Sequence, residues 1–334
     1  MTRPNEGPLS PDRRMPYLIE SDGNAGAIED YLAAHRGSVM QRLTEHGAVL
    51  FRGFGTASAE AFGTFIQALG IEPLEYVYRS TPRTRQGKGF YTATEYPADR
   101  EIPMHNENSY QRIWPRKLAF CCVKPAEAGG ATPLADMLEV QRQLDPSIVE
   151  KFQQLGVRYD RVFHGNIDLS WQEVFQTDQF TDVEEFCALN EIQYEWLEDD
   201  VLKTSQINPG VVRHPARQEN FLFNQAHLFH PSALGEETLN FMLDAFGPDL
   251  LPRNAYYGNG EAIEPDTLQQ IRAAFDAAAV DIHWQAGDIA LIDNIQVAHG
   301  RRTYCGERKL LASLLESNQT LPRSAAAGEA LAQA

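Results

Sequence analysis

The sequence predicts a mainly β protein of the α+β class, a double-stranded β-helix or jelly-roll barrel carrying helical insertions. Two observations lead there. Short apolar or β-branched runs bounded by turn residues cluster towards both ends of the chain: AVLFRGF, KLAFCCVKP and ATPLADM early, VDIHW, DIALIDN and KLLASLL late. The stretch between them, around residues 137–202, changes to helical spacing. Strands early, helices in the middle and strands late describe a barrel closed by its last strands.

In chain order, residues 27–46 place Ile28, Tyr31, Leu32, Val39 and Leu43 on one helical face, and Gly47 stops that helix before the strand AVLFRGF. A second helix is expected over 58–69. KLAFCCVKP and ATPLADM, separated by the turn-like AEAGG, read as two paired strands. DVEEFCALNEIQYEWL, EETLNFMLDAF and DTLQQIRAAFDAA read as amphipathic helices around the sheet. Residues 1–16, with four prolines, and residues 317–334, Ala-rich and without apolar periodicity, are expected to be loose tails. Residues 17–316 then form a single domain, with no repeat or low-complexity linker to divide it.

Composition narrows the function. Of the 334 residues 43% are hydrophobic and 22% charged, enough apolar side chain for a sizeable core. A net charge of −17 opposes binding to phosphate backbones, so nucleic acid is not the expected partner. No apolar run approaches the ~18 residues of a membrane span, and the first residues lack the apolar segment of a secretion signal; a soluble, cytoplasmic protein is expected. Cys121, Cys122, Cys187 and Cys305 are too irregularly spaced for a disulfide framework or a zinc ribbon and read as small buried side chains in a reducing compartment. The adjacent pair, Cys121 and Cys122, should face opposite sides of a strand.

The chemistry concentrates in PMHNENSY. His105 and Glu107 stand two residues apart, and on an extended segment both side chains project to one face, where one ion could take both. An imidazole and a carboxylate suit a divalent first-row metal, and a second imidazole would complete a facial triad with open positions. His-x-Glu alone is weak evidence, because a surface loop explains it as well. His299 strengthens it: it follows an apolar strand in DIALIDNIQVAHGRR, where Asp293 and Asn294 could hydrogen-bond locally and orient the loop. Further on, a strand would carry Arg308 and Lys309 back into the barrel. A guanidinium buried there demands a carboxylate or phosphate partner, although a surface arginine before a strand is an equal reading.

Seven stretches in this order, RSTPRT, YTATEYP, IPMHNENSY, WPRKLAFCCVKPAEAGGATPLAD, FNQAHLFH, LPRNAYYGNG and DNIQVAHGRRTYCGERKLLASL, resemble the taurine dioxygenase-like (TauD/TfdA) 2-oxoglutarate-dependent oxygenases. Within them the chain is most similar to the syringomycin-type amino-acid hydroxylases of nonribosomal peptide pathways. The resemblance implies iron(II) as the metal, with His105, Glu107 and His299 as ligands, and 2-oxoglutarate and dioxygen as cosubstrates. It further implies that Arg308 pairs with the distal carboxylate of 2-oxoglutarate and that Thr132 contacts the same group. Lys309, next to Arg308, points to the opposite face of a strand, and the bidentate geometry of arginine favours Arg308. The resemblance also implies hydroxylation with release of succinate and carbon dioxide. Related halogenases carry a small residue where this chain has Glu107; desaturation or cyclisation would need no change of ligands.

For the substrate, an amino acid or an aminoacyl group on a carrier protein, Arg79, Arg83, Glu95, Asn106, Asn224, Gln225 and Arg253 offer amide, acid and guanidinium groups. Asn224 and Gln225 read equally as a strand end satisfying its own backbone, and Arg253 as a loop brace. His227 and His230 lack a nearby carboxylate and read as structural, whereas Ile282 and Trp284 around His283 suggest a barrel wall. Acidic carrier proteins would need a basic patch, for which the arginines from Arg79 to Arg85 and Lys88 are the candidates. A homo-oligomer is compatible with all of this. Two competing readings keep the fold: a zinc hydrolase on the same three ligands, and a jelly-roll binding module without turnover.

Overall fold

A computed structural model of the chain describes residues 4–22, 26–74, 78, 83–94, 96–165 and 167–319. Its architecture is mixed α/β and rich in sheet. The major sheet has eight strands in the order Asn5–Pro8, Tyr17–Glu20, Ala48–Arg52, Ile289–Asp293, Pro115–Lys124, Lys309–Ser317, Phe90–Thr92 and Arg85–Gly87. Its neighbours run antiparallel, except that Tyr17–Glu20 lies parallel to Ala48–Arg52. A minor sheet has four antiparallel strands, Ala279–Ile282, Thr132–Asp136, Val297–Arg301 and Ile102–His105.

Both faces of the major sheet are buried at its centre, which is why Ala48–Arg52 and Ile289–Asp293 are almost continuously apolar, whereas the edge strands Asn5–Pro8 and Arg85–Gly87 are polar and largely exposed. Val49, Phe51, Ala119, Cys121, Ile289 and Leu291 pack against the helices Ile28–His46 and Ala59–Leu69. The alternate residues Ala48, Leu50, Phe120, Ala290 and Ile292 pack against Leu134, Ile282 and Val297 of the minor sheet. A core of two facing sheets results. The first helix ends as expected at Gly47, whose φ of 79° and N–H bond to the Leu43 carbonyl (2.7 Å) form a left-handed cap. The second begins with Ser58, whose hydroxyl accepts from the Ala61 N–H.

Several expectations need correction. KLAFCCVKP and ATPLADM do not pair: Pro115–Lys124 belongs to the major sheet and Thr132–Asp136 to the minor one. Gly129 and Gly130, both at φ 72°, carry the chain across, and a Cβ on Gly129 would lie 2.3 Å from the Thr303 carbonyl oxygen. The insertion over 137–202 is not purely helical. Val157–Phe163 is a strand, and DVEEFCALNEIQYEWL divides at Asn190 into a helix, Phe180–Leu189, and a strand, Gln193–Trp196. These two strands join Leu202–Asn208 and Arg253–Tyr257 in a third sheet; Tyr194 and Trp196 favour a pleated surface over a helix. The N-terminal segment is not wholly a loose tail, because Asn5–Pro8 pairs with Tyr17–Glu20 and Met15 is buried. At the other end residues 320–334 lie outside the described residues. His283 is exposed and not part of a wall, and Cys305 is exposed while the other three cysteines are buried. Among the described residues no helix is long and apolar enough to cross a membrane.

Candidate metal centre and active site

The strand Ile102–His105 lies antiparallel to Val297–Arg301 with His105 directly opposite His299, so pairing alone brings the two imidazoles to a centroid distance of 4.7 Å. Glu107 is not on the strand, as strict alternation would have it, but in the turn that follows, where the Ser109 N–H bonds to the Asn106 carbonyl and Asn108 is left-handed (φ 55°). That turn swings its carboxylate back: Oε2 lies 3.5 Å from His299 Nε2 and 3.9 Å from His105 Nε2. One donor atom from each of the three residues falls within 4.8 Å of the others.

The surroundings hold these groups in ligand form. His105 Nδ1 donates to the Pro103 carbonyl (2.9 Å), which leaves the Nε2 lone pair towards the other two residues. Burial, and then His299, push the His105 imidazole down to about 4, so it is neutral at physiological pH. Burial works against the Glu107 carboxylate, but Arg83 together with both histidines outweighs it and holds the carboxyl well below its usual range. Two imidazoles and one carboxylate are a donor set that fits a divalent first-row metal. Asn294 fixes the turn from behind: its Oδ1 accepts from the Glu107 N–H (2.7 Å), and its Nδ2 donates to the carbonyls of Glu107 (3.0 Å) and Pro115 (2.7 Å). Asp293 caps the same loop by accepting from the N–H groups of Ile295 and Gln296 and from His214 Nε2.

Beside the triad opens a small cleft lined by His105, His299, Arg83, Thr132, Arg301 and Arg308, with Phe120 and Leu310 as apolar wall. Arg308 lines it, while Lys309 is exposed. Arg308 Nε donates to the Gly130 carbonyl (3.1 Å), and burial, helped by Arg301, pushes the guanidinium down to about 10, still charged at neutral pH. The Thr132 hydroxyl oxygen accepts from Trp284 Nε1 (2.9 Å), so its own proton is available to an acceptor in the cleft. Arg301 is spoken for by the carbonyls of Tyr96, Pro97 and Arg100 and braces that loop at the cleft rim.

Of the expected substrate residues only Arg83 lines the cleft among those described, and its Nη2 lies 3.0 Å from each Glu107 oxygen. Arg79 and Glu95 lie outside the described residues. Asn106, Asn224 and Gln225 brace the backbone: Asn106 Nδ2 donates to the Asn294 carbonyl, Asn224 Nδ2 to Gly210, and Gln225 Nε2 to Asn106. Arg253 pairs with Asp168, His227 bonds the Met104 carbonyl, and His230 bonds Ser232. The Arg83–Glu107 pair and the Trp284–Thr132 bond went unread in the sequence, since both join segments far apart in the chain without a local signal.

The family described as taurine catabolism dioxygenase TauD, TfdA family matches residues 11–314. The chain is 41% identical over 299 residues to the dapdiamide synthesis protein DdaC of Enterobacter agglomerans, covering 90% of each chain. It is 31% identical over 283 residues to a clavaminate synthase-like protein of Arabidopsis thaliana, covering 81% of this chain and 82% of that one. Its fold is similar to that of PvcB from Pseudomonas aeruginosa (TM-score 0.53, 16% identity, 93% of this chain and 89% of that one). It is also similar to an asparagine oxygenase crystallised with Fe(II), 3-hydroxyasparagine and succinate (TM-score 0.52, 13% identity, 86% and 78%). With the triad and the charged cleft beside it, the match over nearly the whole chain decides the question: the protein belongs to the TauD/TfdA dioxygenases, a family of iron(II)- and 2-oxoglutarate-dependent enzymes.

Proposed function

We propose that this enzyme hydroxylates an unactivated C–H bond of an amino acid, free or tethered as an aminoacyl group to a carrier protein, in natural-product biosynthesis. The observation that carries the reading is that His105 and His299, grouped with the Glu107 carboxylate as one donor set, line the same cleft as the Arg308 guanidinium. In this reading residues 17–316 are one domain, and the two facing sheets are the halves of a double-stranded β-helix with the site between them.

His105, Glu107 and His299 would hold iron(II), which would supply the activation of dioxygen that is coupled to conversion of 2-oxoglutarate to succinate and carbon dioxide. Arg308 binds the distal carboxylate of 2-oxoglutarate through a charge-assisted pair, and the Thr132 hydroxyl donates to the same group. Phe120 and Leu310 supply an apolar part of the cleft lining. A carboxylate at position 107 fills the place a halide would need, which favours hydroxylation. Similarity to a dapdiamide synthesis protein supports a biosynthetic role. Four free thiols suit a reducing, cytoplasmic setting. The exposed Arg85 and Lys88 supply local positive charge for an acidic carrier against a net charge of −17.

Anaerobic addition of iron(II) and 2-oxoglutarate should give a weak metal-to-ligand charge-transfer band in the visible. Its absence in folded, metal-loaded protein would sink the cosubstrate assignment. Succinate release screened over free amino acids and their carrier-bound thioesters should single out one substrate class; stimulation by neither would remove the hydroxylase reading.

A further inference from the structure

We infer that Arg83 is a positioning residue of the metal centre, which holds the Glu107 carboxylate so that Oε2 alone faces the metal; this rests on the proposed metal site. Three observations carry it. Arg83 Nη2 straddles the carboxylate, 3.0 Å from both oxygens, and both side chains are almost fully buried. Oε2 is the oxygen by which Glu107 approaches both imidazoles, at 3.5 and 3.9 Å. Behind the side chain, Asn294 clamps the Glu107 peptide from both its N–H and its carbonyl.

Together these contacts fix Glu107 at its two ends and leave the torsions between them as the only freedom. Glutamate has one more rotatable bond than aspartate, so a peptide clamp alone does not fix the direction of its head. An unrestrained carboxylate can turn both oxygens to a cation and occupy two coordination positions. Arg83 Nη2 sits across the mouth of the carboxylate, engaging both oxygens at 3.0 Å while only Oε2 is turned towards the imidazoles; the carboxylate is thereby kept from swinging both oxygens to a cation, which leaves a position open for a cosubstrate. The sequence suggests Arg83 as a substrate contact, and Arg83 does line the cleft, with its Nη2 on the Glu107 carboxylate.

The test uses the full chain, stripped of metal and titrated anaerobically with Co(II), whose visible d–d bands report coordination number without turnover. Arg83→Gln should alter the band shape and intensity at saturation and weaken Co(II) binding about 10- to 100-fold. Arg83→Lys, which restores the charge, should lie between Gln and wild type. Thermal melts establish that each variant is folded. Saturated spectra superimposable on wild type overturn the proposal whatever the change in affinity, and if Arg83→Gln does not fold, a wild-type spectrum in Arg83→Lys does the same. Wild-type protein that binds no Co(II) at all would instead refute the metal site itself.

Discussion

His105 and His299 face each other across one antiparallel strand pair, so the placement of both imidazoles is a consequence of sheet register and not of loop conformation. A ligand pair built this way is rigid before metal arrives. His105→Ala removes one donor while the strand backbone keeps its ladder bonds. We expect succinate formation to fall below detection and Mn(II) affinity by at least ~100-fold, with little change in Tm, as read by coupled assay, titration and calorimetry. Retained metal-dependent turnover would dismiss His105 as a ligand.

Arg308 and Lys309 are adjacent cations with opposite environments, one in the cleft and one exposed. Loss of a charge-assisted pair costs about 1.5–3 kcal/mol, so Arg308→Ala should raise the KM for 2-oxoglutarate on the order of 10- to 150-fold and leave metal affinity intact. Lys309→Ala should change neither. Thr132→Val, which removes one neutral donor, should give a smaller rise of about 2- to 10-fold. Steady-state kinetics on the three variants separates the roles, and an equal effect of Arg308→Ala and Lys309→Ala would contradict the assignment.

Local pattern carried most of what the sequence could tell. Ile28 to Leu43 announce their helix because one face is buried against a sheet, and AVLFR announces a strand because both its faces are. His105 and Glu107 were legible as a pair because only one residue separates them, although the true geometry is a strand end plus a turn. Arg308 was legible as a cation near a strand, but its direction was fixed only by the resemblance and then by the cleft. What stayed hidden is non-local. Nothing near Arg83 in the chain points to Glu107, nothing in AEAGG says that the chain changes sheets, and Asn190 divides a segment whose composition would pass for one helix.

Asn294 ties the ligand turn to the major sheet: its side chain bonds Glu107 N–H, the Glu107 carbonyl and the Pro115 carbonyl, its own carbonyl accepts from Asn106, and its N–H donates to the Arg116 carbonyl. Asn294→Ala strands at least two buried backbone groups, each costing about 1–3 kcal/mol. Urea unfolding should show a loss of about 3 kcal/mol with unchanged m-value, and metal affinity should fall with it because Glu107 loses its rear clamp. Asn294→Asp can still accept from the Glu107 N–H but cannot donate to the two carbonyls, so it should be no better than alanine. A stability within ~0.5 kcal/mol of wild type in either variant would show that the turn is held by other contacts.

His227 sets a limit on acid stability that is separate from the ligands. Its Nε2 bonds the Met104 carbonyl one residue before His105, and burial pushes the imidazole down to about 3 from an ordinary value near 6.5. The folded state therefore holds it neutral, whereas the unfolded chain takes up a proton below about 6.5. The unfolded state then binds more protons, so this contribution is complete above pH 6.5 and is lost as pH falls from there towards 3. At pH 5 the difference is on the order of 2 kcal/mol, from about 1.4 kcal/mol for each unit between the two values. Urea melts of wild type and His227→Gln at pH 7 and pH 5 isolate it: the glutamine amide can still donate to Met104 but does not titrate, so the variant should lose less stability between the two pH values. Equal losses in both proteins would mean that His227 is not kept neutral by the fold.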